Sequence, residues 1–100
     1  MRRGEVWRVL VLGRVERTVV IVGHNALTDT RDDVLCVQVQ DTPGMTASLV
    51  TVRVDDPVVG YARGASVGPL AKKNFTERLG LLGEGTLEQL DIALRAALDL

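Results

Sequence analysis

The chain has 100 residues and a mass of 10.8 kDa, with 46% hydrophobic residues, 25% charged residues and a net charge of −1. This length supports one domain, residues 1–100, and near-neutrality argues against a general nucleic-acid binder. One cysteine, Cys36, and one histidine, His24, exclude an internal disulfide and the ligand spacing of a zinc site, so no metal and no cofactor are expected. No apolar run approaches the roughly 20 residues of a membrane helix, and the N-terminus lacks a signal-peptide core. A cytoplasmic protein with no membrane association is the expectation. Aromatic residues make up only 3%, which leaves Val, Leu and Ala to fill the core.

Charge is unevenly distributed. Residues 1–17 carry a net +3 and residues 63–78 another +3, whereas residues 29–56 carry −4 and residues 79–100 carry −3. Brought together, the basic blocks make a local positive face on a neutral protein; left apart, they are solvated charge.

Taken in chain order, Arg3 to Val22 reads as a β-hairpin. Val6, Arg8, Leu10 and Leu12 alternate with Glu5, Trp7, Val9 and Val11, Gly13-Arg14 turns the chain, and Val15 to Val22 returns. The return strand is apolar except near its start, where Arg17 stands out. Gly23 to Asp33 is polar, with one helical turn expected around Asn25–Thr28. Val34 to Gln40 is a third strand on which Gln38 and Gln40 share a face. Asp41-Thr42-Pro43-Gly44 is a turn, and Ser48 to Val54 is a fourth strand ended by Pro57. An irregular loop is expected over Val58–Gly64, a fifth strand over Ala65–Ala71, and a short helix or turn over Asn74–Leu79. At the C-terminus, Thr86-Leu87-Glu88-Gln89 reads as a capping box. Leu87, Leu90, Leu94, Ala97 and Leu98 then form a helical stripe, with Ile92, Ala96 and Leu100 on the opposite side. Such a helix has either two packing partners, its own sheet and a second subunit, or a few exposed apolar residues. The fold class is therefore mainly β (α+β): a partly open antiparallel barrel with a C-terminal helix.

Several stretches resemble the MazF/PemK family of toxins. Arg2-Arg3-Gly4-Glu5-Val6-Trp7 is similar to that family's R-G-[ED]-[VI]-W opening. Arg17-Thr18-Val19-Val20-Ile21-Val22 resembles its R-P-[VA]-[LV]-[VI]-[VL] strand, and Gly23-His24-Asn25-Ala26-Leu27 its S-N-D-A-L continuation. Thr76-Glu77-Arg78-Leu79 and Leu87-Glu88-Gln89-Leu90-Asp91 are similar to its later motifs. The resemblance implies an SH3-like barrel, a homodimer, a cognate antitoxin partner and metal-free endoribonuclease activity on single-stranded RNA. In that chemistry the RNA's own 2′-OH attacks the neighbouring phosphorus, so the protein needs a base and cationic donors for the phosphoryl oxygens. Arginine suits the second task better than lysine.

By that resemblance Arg17 is the main catalytic cation. The family's catalytic Thr corresponds to Gln40, whose amide still donates, and Thr42 lies two residues on. Arg3, Trp7, Arg14, Lys72 and Lys73 are the expected RNA contacts. Bland readings stand beside these. Arg17 can snorkel or pair with Glu16 or Asp41, Trp7 can be a core aromatic, Lys72-Lys73 a solvated turn, and His24 either a base or an idle loop residue. The alternative overall function is a binding module that keeps the fold, the dimer and antitoxin binding but does not cleave.

Overall fold

The computed structural model describes residues 1–41 and 50–98. Its elements are β1 (Glu5–Val11), β2 (Val15–Ile21), α1 (Asn25–Thr30), β3 (Asp33–Gln40), β4 (Thr51–Val54), β5 (Gly60–Arg63), β6 (Gly68–Ala71), β7 (Phe75–Leu81) and α2 (Glu84–Ala97), with 3₁₀ turns at residues 64–66 and 72–74. The strands form one antiparallel seven-stranded sheet in the order β4-β5-β3-β2-β1-β7, with β6 also paired to β3. β3 is the branch point: Asp33–Cys36 pair with β6, and Val39 and Gln40 pair with β5.

Period-two side chains place apolar groups on both faces of this sheet. Val6, Val20, Val22, Val37, Val52, Val54 and Ala62 form one cluster with Leu90 and Ala93 of α2. Val9, Val19, Ile21, Val34 and Cys36, of opposite parity on the same strands, form the second with Trp7, Leu70 and Phe75. The second cluster encloses Cys36, and burial pushes its thiol up to about 12. A thiol so far from ionisation is not a nucleophile.

The hairpin forms where the alternation places it, but its turn centres on Leu12 and Gly13, one residue earlier than expected. Both have positive φ (55° and 68°), and the Arg14 N–H donates to the Val11 carbonyl at 3.1 Å. Positive φ at both central positions matches the right-handed twist of paired strands. α1 runs to Thr30, two residues past the expected turn, and is capped by His24, whose Nδ1 accepts from the Ala26 N–H at 3.2 Å.

Four expectations are corrected. The expected loop over Val58–Gly64 contains β5, held between β3 and β4. The expected fifth strand over Ala65–Ala71 begins with a 3₁₀ turn, and its paired strand runs only from Gly68. Asn74–Leu79 is mostly strand β7, not a helix or turn. Its pairing to β1 is marked by charge and not by apolar alternation: Glu77 pairs with Arg8 (2.9 Å) and Arg78 with Glu5 (3.2 Å). α2 starts at Glu84 with Gly83 as its N-cap, where the Leu87 N–H donates to the Gly83 carbonyl. Thr86 and Gln89 therefore lie inside the helix and form no capping box. The Thr42–Gly44 turn residues and Ser48–Leu49 of the expected fourth strand lie outside the described residues.

On α2 the expected stripe packs on the sheet through Leu87, Leu90 and Leu94, joined by buried Ala93, whereas Leu98, expected on the same stripe, is exposed. Ile92 and Leu98 are 63% and 52% exposed.

Candidate functional site

β2 and β3 pair with Thr18 opposite Val39 and Val19 opposite Gln38. One step further the same register brings Arg17 beside Gln40. The two line one cleft of about 350 Å³ with Glu16, Thr18, Gln38, Val39 and Asp41. Arg17 has the parity of Val19 and Ile21, and Gln40 that of Cys36, so both side chains lie on the face of the second cluster. Arg17 is exposed, and among the described residues its guanidinium makes no hydrogen bond or ion pair, not even with Glu16 or Asp41. Its five N–H donors are uncommitted.

Gln40 is held. Arg63 of β5 donates from Nη1 to Gln40 Oε1 at 3.0 Å, and Gln40 Nε2 donates weakly to Gln38 Oε1 at 3.4 Å. Below them the Ser66 hydroxyl donates to the Arg63 carbonyl (2.7 Å) and accepts from the Gln38 N–H (3.1 Å). With its carbonyl oxygen fixed by a cation, the Gln40 amide keeps one N–H unassigned beside Arg17. The arrangement gathers anion-binding donors: an unpaired guanidinium on β2, an oriented amide on β3 and a second guanidinium on β5. In the sequence Arg63 stands out only as one charge of the basic block over residues 63–78. Its relevance depends on β5, which the sequence pattern hid.

The other expected residues are distributed over the fold. Arg3 is a clamp: its Nε donates to the Val22 carbonyl (3.2 Å), its N–H to Asn25 Oδ1 (2.7 Å), and its guanidinium pairs with Asp91 of α2. Trp7 shares the Arg17 face one diagonal away, because Val9 stands opposite Arg17 and Trp7 opposite Val19. Its indole N–H donates to Glu5 Oε1 at 2.9 Å, and its ring meets Phe75 edge-on at 5.8 Å. Burial acts to raise the Glu5 carboxyl, but donors from Trp7, Arg2 and Arg78 outweigh it and hold the group below its ordinary value. Arg14 is exposed at the hairpin tip. Lys72 donates through Nζ to the Thr28 carbonyl and through its backbone N–H to Asp32. That places Lys72-Lys73 at the far end of β3, about 20 Å along the strand from Gln40. Thr42 lies outside the described residues. Among the described residues no group of His, Cys, Asp and Glu is arranged to hold a metal, and no helix is long and apolar enough to cross a membrane.

Comparison with known proteins follows the same outline. Endoribonuclease MazF4 of Mycobacterium tuberculosis is 30% identical over 98 residues, which span 98% of this chain and 92% of the relative. The chain belongs to the MazF endoribonuclease family. Endoribonuclease MazF1 of Mycobacterium bovis matches to the same extent. A mycobacterial endoribonuclease solved in complex with its cognate antitoxin superposes with a TM-score of 0.91 at 28% identity, over 100% of this chain and 96% of that one. The MazE–MazF complex of Deinococcus radiodurans superposes at 0.82 over 100% of this chain and 96% of that one, with 14% identity, and speaks to the fold alone. No family model matches the sequence. Family membership and the superposition agree with the SH3-like barrel that the resemblance implies.

Proposed function

We propose that this chain is the toxin of a type II toxin–antitoxin pair, a metal-independent endoribonuclease that cuts single-stranded mRNA in the cytoplasm at the Arg17–Gln40 cleft. The observation that carries the reading is an unpaired guanidinium on β2 beside an amide oriented by a second arginine. In the reaction the 2′-oxygen bonds to phosphorus as its proton passes to a base, and the P–O5′ bond breaks as the departing oxygen gains a proton. Arg17 and the free Gln40 N–H offset charge building on the phosphoryl oxygens. Glu16 and Asp41 also line the cleft, and one of them is assigned the role of base for the 2′-OH proton. The endoribonuclease names of the mycobacterial relatives support cleavage over the non-cleaving binding module. The antitoxin in a superposable complex supports a cognate antitoxin as partner. A homodimer fits the uncovered Ile92 on α2.

The deciding experiment incubates the purified chain with single-stranded RNA in chelator. Cleavage is expected, and a single 2′-deoxy substitution at the cut position should abolish it. Intact RNA, or cleavage indifferent to the 2′-deoxy substitution, rejects the reading. Arg63→Met is expected to lower kcat about tenfold or more, since a charge-assisted hydrogen bond contributes roughly 1.5–3 kcal/mol. If Arg63 acts by orienting Gln40, the loss should vanish in a Gln40→Ala background; full additivity would show that it does not.

A further inference from the structure

The antiparallel registers extend the Arg17–Gln40 pair into a row. Gln40 stands opposite Tyr61 on β5, and Tyr61 opposite Arg53 on β4. Directly opposed residues project from the same face, so Arg17, Gln40, Tyr61 and Arg53 cross four adjacent strands side by side. Parity agrees: Val52, Val54 and Ala62 point into the cluster under α2, which leaves Arg53 and Tyr61 on the other face. The chain has three aromatic residues: Trp7, Phe75 and Tyr61. The first two pack on each other in the second cluster, while Tyr61 belongs to neither cluster. Its ring is faced by Arg53, whose guanidinium carbon lies 5.6 Å from the ring centroid and whose Nη1 donates to the Tyr61 hydroxyl at 3.3 Å. Asp55 steadies the same guanidinium at 3.0 Å. An aromatic ring and a guanidinium held together on an open sheet face form a stacking platform for an unpaired base, whatever its identity.

We propose that Tyr61 and Arg53 form a nucleobase-stacking subsite for single-stranded RNA, seating the base of a nucleotide that flanks the bond cut at Arg17. The proposal rests on the ribonuclease reading above. Tyr61 is two strand spacings from Arg17, about 10 Å, which fits a neighbouring nucleotide whose phosphate reaches Arg17 while its base lies outward on β5. The row thereby sets the direction of the RNA, across the strands from β2 toward β4.

The test uses an oligoribonucleotide that the wild-type chain cleaves, made uncleavable by a 2′-deoxy residue at the cut position and read by fluorescence anisotropy. Tyr61→Ala is expected to weaken its binding about tenfold, the range of one base–aromatic stack. Arg53→Ala should act in the same direction, and restoring the ring with Tyr61→Phe should recover most of the loss. On oligonucleotides carrying one abasic site, moved along the strand, one flanking position should make wild type and Tyr61→Ala bind alike. Unchanged binding by Tyr61→Ala overturns the subsite, as does a loss that persists at every abasic position. A wild-type chain that cleaves no RNA overturns the ribonuclease reading and the subsite with it. A wild type that cleaves, an inactive Arg17→Ala and an unaffected Tyr61→Ala overturn the subsite alone.

Discussion

Replacing Arg17 by alanine is expected to lower the cleavage rate by about a thousandfold, the upper range for removing one preorganised donor to a developing oxyanion. Folding should hardly register the change. The guanidinium is exposed and makes no hydrogen bond among the described residues, so stability should move by less than about 0.5 kcal/mol. Arg17→Lys keeps the charge but loses the planar fork that meets two phosphoryl oxygens at once; its activity should fall between those of wild type and alanine. Arg3→Ala provides the contrast. It removes a clamp between β1, the end of β2 and α2, so its main effect should be on the unfolding midpoint. Cleavage by a folded Arg17→Ala chain at the wild-type rate would remove Arg17 from the mechanism.

Legibility of this fold in the sequence followed the nature of each strand's pattern. β1, β2 and β3 were readable because their alternation is one of hydrophobicity, with Val19 and Ile21 facing one cluster and Val20 the other. β7 was not, because its middle carries no apolar alternation: its consecutive residues Glu77 and Arg78 pair with Arg8 and Glu5, and solvated charge takes the place of apolar contact. β5 was hidden by Gly60, a residue that reads as a loop but serves close backbone approach. The start of α2 was set by a backbone hydrogen bond to Gly83 and not by the available Thr and Gln side chains. At the site, Arg17 was conspicuous as the one cation on a strand whose second half is apolar and buried. Tyr61, Arg63 and Arg53 were inconspicuous because their proximity to Arg17 arises only from the register of four strands that lie far apart in sequence.

Gly60→Ala is expected to damage both the fold and the site. A β-carbon on Gly60 would lie 2.8 Å from the Gln40 carbonyl oxygen and 2.8 Å from Val39 Cγ1. One obstacle is backbone and the other a methyl of a β-branched side chain at the edge of the main cluster. Neither moves cheaply: χ1 of valine is stiff, and displacing the carbonyl means displacing β3 itself. Overpacking of this kind costs roughly 1–3 kcal/mol, which in a domain of this size lowers the unfolding midpoint by about 4–8 °C per kcal/mol. The strain falls on the residue that holds the amide beside Arg17. Cleavage measured well below the new midpoint should therefore also fall, through displacement of Gln40. Gly68→Ala is the matched control. Nothing lies within 4 Å of its added carbon and its φ is not positive, so reduced entropy of the unfolded chain should leave it neutral or up to about 1 kcal/mol more stable. Thermal unfolding of both variants, with cleavage assayed on the folded chains, separates the outcomes. A Gly60→Ala chain as stable and as active as wild type would show that β3 and β5 yield to an added methyl, and that the position of Gln40 is not set by this contact.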